Sequence, residues 1–284
     1  MIICLLLCSC GTAQEPAQIS ATTLPVWEFT SRLCEGTGIT VNRLVTESVS
    51  CLHDYTLQVG QMRAIESAEM IVLSGAGLEE FLEEALHGAA LTVDASAGIE
   101  LLCPEEDHGH DHDDHGHHHE SDPHIWLSPA NAAIMVRNIC DGLIDRYPQF
   151  ESLFIENRTA LLEELEALDQ YGQSQLQNLS QREIITFHDG FTYFAHCYDL
   201  EIVRAVEEES GAEASAAELI ELIEEVRHHD LPAIFTEVNG SVSAASVIAR
   251  ETGAAVYTLD MAMAGDSWFD AMYRNIDTIK EALQ

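Results

Sequence analysis

A chain of 284 residues is long for one domain and comfortable for two lobes. Its 46% hydrophobic content supports real cores and excludes a disordered chain. Twelve Lys and Arg against 49 Asp and Glu give a formal charge of −37; nucleic acid is excluded as a partner, because neutralising phosphates takes clustered cations.

The first element is an apolar run, Ile2 to Leu7, leading into Leu7-Cys8-Ser9-Cys10-Gly11. That segment resembles a bacterial lipobox, which would make Cys10 the lipidated first residue of the mature protein. The run is short and no Lys or Arg precedes it, so a start further upstream is expected. No later stretch approaches the ~20 apolar residues that cross a bilayer; membrane attachment is expected through lipid at Cys10. Outside this leader, Cys34, Cys51, Cys103, Cys140 and Cys197 are odd in number and show no CxxC spacing. They read as buried small hydrophobes, neither a disulfide framework nor a zinc knuckle.

Residues 12–18 read as a tether, completing a leader segment over 1–18. Beyond it, β-branched runs alternate with helical stretches. Strands are expected at Ile39–Val45, Met70–Ser74, Leu91–Asp94, Ile184–Phe187, Glu201–Val206, Ala233–Thr236 and Ala255–Leu259. Helices are expected at Val26–Cys34, Gly60–Ser67, Leu78–Leu86, Ala130–Arg146, Phe191–Cys197, Ala216–His229 and Ser241–Thr252, with Ser128-Pro129 as an N-cap and N1 pair. This alternation predicts an α/β fold with parallel sheets flanked by helices. From Gln149 to Leu179 the period stays helical and no strand intervenes; ~30 residues at 1.5 Å each would span ~45 Å. The chain therefore divides into an N-terminal α/β lobe (19–147), a long rigid connecting helix (148–179) and a C-terminal α/β lobe (180–284), with lobes that tilt rather than snap shut.

Residues 105–120, EEDHGHDHDDHGHHHE, hold no apolar side chain and are expected to form a disordered loop. They carry seven of the fourteen His: His108, His110, His112, His115, His117, His118 and His119. An acidic run needs only solvent, but imidazole in that number predicts weak sites for a divalent metal.

Four other residues close an apolar run or open a helix: His53 in CLHDY, His124 in DPHIW, His188 in ITFHD and Asp260 in YTLD. Ligands of open α/β sheets bind beyond the carboxyl ends of strands, so two residues from each lobe predict a site in the cleft between lobes. Three imidazoles and a carboxylate make a suitable tetrahedral shell for Zn²⁺. The four are scattered, however, and an isolated His at a strand end is more often a hydrogen-bonded structural residue than a ligand, so spacing alone does not make the site.

Longer stretches add to this. TTLPVWEF, HDYTLQVGQMRAIESAEMIVLSGAGLEEFL, the acidic His-rich loop, DPHIWLSPANAAIMVRNI, TFHDGFTYFAHCYDL, IFTEVNGSVSAASVIARETGAAVYTLD and DSWFDAMYRNIDTIKEAL occur in the order found in one family. From about Thr22 onward the chain resembles the zinc- and manganese-type metal-binding solute-binding proteins of bacterial ABC importers. The resemblance implies two α/β lobes joined by one long helix, His53, His124 and His188 as metal ligands, and Asp260 at the fourth-ligand position. Where the family usually has Asp-Pro before the first ligand, this chain has Cys51-Leu52. Manganese-type members carry a carboxylate where His188 stands, so the resemblance implies a zinc type; nitrogen ligands favour Zn²⁺ and oxygen suits Mn²⁺. Glu237, also closing a strand, is expected to accept a hydrogen bond from a ligand imidazole, as could Asp54 or Asp189.

These readings predict an extracytoplasmic, membrane-anchored, monomeric protein that passes Zn²⁺ to an ABC-type permease. A manganese- or iron-binding homologue is one alternative; a zinc hydrolase is another, of a different class. Against the hydrolase, the sequence has no His-Glu-x-x-His helix and no Gly-x-Ser-x-Gly elbow, and a closed four-ligand shell leaves no position for an activated water.

Overall fold

Parallel strands need a crossover between each pair, and here a helix supplies it. The structure, a computed structural model, describes residues 17–47, 52, 55–86, 91–102, 121–207, 215–238 and 242–284. Four strands, β1 (Ile19–Ala21), β2 (Val41–Arg43), β3 (Met70–Leu73) and β4 (Leu91–Asp94), form one sheet in the order β2-β1-β3-β4. A second sheet holds β5 (Glu183–His188), β6 (Glu201–Glu207), β7 (Ala233–Glu237) and β8 (Ala255–Leu259) in the order β6-β5-β7-β8. All strand pairs are parallel, and the two sheets repeat one topology. In each, the order reverses between the first and third strands, the switch point where α/β folds place ligands.

The helices are α1 (Leu24–Leu33), α2 (Val59–Ser67), α3 (Glu83–Leu86), α4 (Pro129–Arg146), α5 (Glu151–Leu176), α6 (Thr192–Cys197), α7 (Ala216–His228), α8 (Val242–Thr252) and α9 (Trp268–Leu283). Most lie within two residues of their expected limits; four elements differ. The expected strand Ile39–Val45 contracts to Val41–Arg43, and the expected helix over Leu78–Leu86 is a 3₁₀ turn, Glu80–Leu82, followed by the single turn α3. The third difference is β1, which was not expected. Its three residues, all buried at the centre of the first sheet, run directly into Thr22-Thr23 and α1, too short to show a period. Helix α9 was also not expected. It buries Trp268, Phe269, Ala271, Met272, Asn275, Ile276, Ile279 and Leu283, a stripe of period near 3.6.

Helix α5 runs 26 residues, about 39 Å. It buries Leu161, Leu165, Leu168, Gly172 and Leu176 along one stripe and packs on α1, α4 and α9, so it touches helices from both halves. Its C-terminus is held by Arg182, whose guanidinium donates to the carbonyls of Leu176 and Gln177 on one side and Tyr198 and Asp199 on the other. One apolar cluster runs through both sheets, from Ile19, Met70 and Val72 through Trp126, Phe154 and Trp268 to Ile184, Phe235 and Leu259. The lobes therefore share a core as well as a helix.

Candidate metal centre

Strand β5 is buried along nearly its whole length and ends on His188, itself 2% exposed. His124 is 4% exposed and stands in the short Asp122-Pro123-His124 approach to a 3₁₀ turn, Ile125–Leu127. Ser128 then caps α4 by accepting the Asn131 N–H, and Pro129 occupies its first turn. One Asp122 oxygen, Oδ1, accepts both the His124 backbone N–H at 2.8 Å and its ring Nδ1 at 2.7 Å. A carboxylate there assigns the proton to Nδ1 and leaves the lone pair on Nε2. Burial alone would raise the Asp122 pKa, but the hydrogen bonds and charge of His124 outweigh it and hold the carboxyl below its usual range.

His124 Nε2 faces His188 Nε2 at 3.4 Å, with the rings at 89°. That is long for an N–H donor bond, which centres near 2.9–3.0 Å. It matches the edge of a tetrahedral zinc shell, about 3.3 Å for two nitrogens each about 2.05 Å from the metal. The chemistry of the donors and their spacing both fit Zn²⁺.

Asp260 follows β8, where its carboxylate is already engaged. Oδ2 is 2.9 Å from the Arg274 guanidinium and Oδ1 accepts the Ala262 N–H. Asn275 brackets its backbone, accepting its N–H and donating to its C=O, so α9 fixes the position of this residue. Glu237 is 5% exposed at the end of β7, and the Thr186–Phe235 register sets it level with His188 on the adjacent strand. Among the described residues no three His, Cys, Asp or Glu side chains converge as a metal-holding group, so neither carboxylate joins the two imidazoles in one. His53, Cys51, Asp54, Cys10 and all seven His of the 105–120 segment lie outside the described residues.

Three contributors went unread in the sequence. Asp122 sets the His124 tautomer, and an acid two residues ahead of a His in a proline turn was the available signal. Trp126 donates its indole N–H to the Met261 carbonyl at 2.7 Å and accepts from the Trp268 indole at 3.2 Å, tying the His124 segment to that of Asp260. At Gly190 a Cβ would stand 2.7 Å from His188 Cδ2 and 2.7 Å from the Met261 methyl, so the backbone passes too close for any side chain. His196 is exposed, and His229 pairs with Glu183 and Glu225 away from this centre.

Comparison with known proteins identifies relatives that cover nearly the whole chain. The family model described as zinc-uptake complex component A, periplasmic (ZnuA), matches residues 19–282. The zinc-binding lipoprotein AdcA of Streptococcus pneumoniae is 30% identical over 95% of this chain, which spans 56% of that protein, about half its length. The high-affinity zinc uptake system protein ZnuA of Bacillus subtilis is 28% identical over 98% of this chain and 94% of its own. A crystal structure of ZnuA superposes with a TM-score of 0.81 at 31% identity, covering 94% of this chain and all of the other. With a family match that takes in both sheets, the long helix and both facing imidazoles, the chain belongs to the zinc-uptake complex component A family.

Proposed function

We propose that the protein captures Zn²⁺ outside the cytoplasm and delivers it to an ABC-type permease, with no catalytic step. The observation that carries this reading is the pair of buried imidazoles presenting Nε2 atoms 3.4 Å apart, one with its tautomer set by Asp122. His53, His124, His188 and Asp260 are the proposed ligands. Asp260 joins the metal by exchanging its Arg274 contact for it, and Glu237 accepts the free ring N–H of a ligand imidazole. Four protein ligands close a tetrahedral shell, so the chemistry is ligand exchange and not activation of water. The zinc-named relatives support this choice of metal, as does His188, a nitrogen ligand where an oxygen would suit manganese.

Among the described residues no helix is long and apolar enough to cross a membrane. Attachment is proposed through lipid at Cys10, the protein acting as a monomer beside its permease. The seven His of the 105–120 segment would add weaker sites for the same ion, imidazole being a ligand that suits it.

Metal analysis of protein purified without chelators or His-affinity steps tests the assignment. One tightly held Zn²⁺ per chain is expected after deletion of 105–120, not displaced by equimolar Mn²⁺ and lost in His188→Ala. Displacement by Mn²⁺, or full zinc retention by His188→Ala in the deletion background, overturns it.

A further inference from the structure

Both imidazole-bearing segments meet at one phenol. Leu102 and Asp122 flank the 103–120 stretch, and the Asp122 N–H donates to the Leu102 carbonyl at 2.9 Å. Tyr193 completes a ring of hydrogen bonds around this pair. Its Oη accepts the Leu102 N–H at 3.0 Å and donates to the Asp122 carbonyl at 3.0 Å. Tyr193 is 3% exposed and belongs to α6, which begins four residues beyond His188. The Asp122 whose carbonyl it holds is the residue whose carboxylate grips the His124 ring.

We propose that Tyr193 is a positioning residue of the metal centre: by fastening the Leu102–Asp122 pair to α6 it sets the Asp122–His124 unit against His188. The phenol touches no metal. It acts through the backbone of Asp122, one step from the carboxylate and two from the ring nitrogen. A shift of Asp122 would carry its Oδ1 with it and swing His124 Nε2 away from its 3.4 Å partner. Partners that orient metal ligands typically change affinity 10- to 100-fold when removed. Tyr193 stands one residue further out, so about a tenfold loss is expected.

The inference rests on the zinc reading above, and Tyr193→Phe separates the two. Phenylalanine keeps the ring and its packing and removes only the hydroxyl. The apo variant should melt within about 3 °C of the parent, as one or two net hydrogen bonds allow in a protein of this size. Its zinc affinity, measured by competition with a chromophoric chelator, should fall about tenfold. The visible bands of the Co²⁺-substituted protein, which report tetrahedral geometry, should weaken and shift. A purely structural hydroxyl would lower the melting temperature and leave both the affinity and the Co²⁺ spectrum unchanged, and that result overturns the assignment. If the parent binds and His188→Ala does not, while Tyr193→Phe equals the parent, only the role of Tyr193 falls. If the parent itself binds neither metal, the zinc reading falls and takes this one with it.

Discussion

A carboxylate two residues ahead of His124 decides which nitrogen that ring offers. With Asp122 Oδ1 fixed on Nδ1, the Nε2 lone pair points at His188. Asp122→Ala should therefore cost zinc affinity 10- to 100-fold, the usual effect of losing a partner that orients a ligand. Isothermal titration measures this directly, and an unchanged constant would show that the tautomer is set by something else. Gly190 acts by what it lacks. Gly190→Ala would press a methyl against the His188 ring and the Met261 methyl, so zinc binding should weaken more than the modest stability cost of an overpacked site, typically 1–3 kcal/mol. A variant with lower stability but parental affinity contradicts this. His124 and His188 were legible in the sequence because each closes a motif. Asp122 and Gly190 were not, because their roles depend on distances that only the folded chain defines.

Elements were legible where their period had room to repeat. Helices α4, α5 and α7 and strands β5 and β7 are long enough for burial to print itself on the sequence. β1 is three residues long and central; its identity comes from neighbours on both sides. The segment after β3 shows another kind of element, one built on backbone donors. Gly75, Ala76 and Gly77 all take positive φ, at 84°, 55° and 84°, a run that exposes successive N–H groups. Glu79 accepts from the Ser74 and Gly75 amides at 2.7 and 3.0 Å and from the Thr22 hydroxyl at 2.6 Å, bridging the ends of β1 and β3. Burial pushes its pKa up to about 7, against the lowering effect of those three donors. The sign follows from linkage. Below pH 4.5 the group is protonated folded and unfolded, and its contribution is fully present. Between 4.5 and about 7 the folded state keeps a proton the unfolded chain has released, so stability falls as pH rises, by about 3 kcal/mol in all. Denaturant midpoints at pH 5 and pH 8 should therefore differ less in Glu79→Gln than in the parent. Equal losses in the two proteins would remove Glu79 as the cause.

For the whole molecule, the question is whether the two halves respond to metal as one body. They are joined by α5, by a single apolar cluster that includes Trp126, Phe154 and Trp268, and by bonds such as Arg43 to the Gly265 carbonyl and Trp126 to the Met261 carbonyl. A core shared in this way makes separate unfolding of either half expose apolar surface on the other, so one cooperative transition is expected, seen alike by different probes. Zinc held between the halves, as proposed above, would bind only that folded body. By mass action, free Zn²⁺ at 1,000 times its dissociation constant should add about 4 kcal/mol, or about 7 °C in melting temperature for a protein of this size. The radius of gyration, expected near 19 Å from the chain length, should stay unchanged within error in small-angle scattering, because the shared core leaves no wide hinge to close. Hydrogen exchange distinguishes this from two loosely tethered halves. On adding Zn²⁺, the slowest amides of β3, such as Ile71 and Val72, and of β7, such as Ile234 and Phe235, should gain the same protection, because both exchange through the same global opening. Added protection in one sheet alone would mean that the halves open independently and that the metal stabilises only one of them.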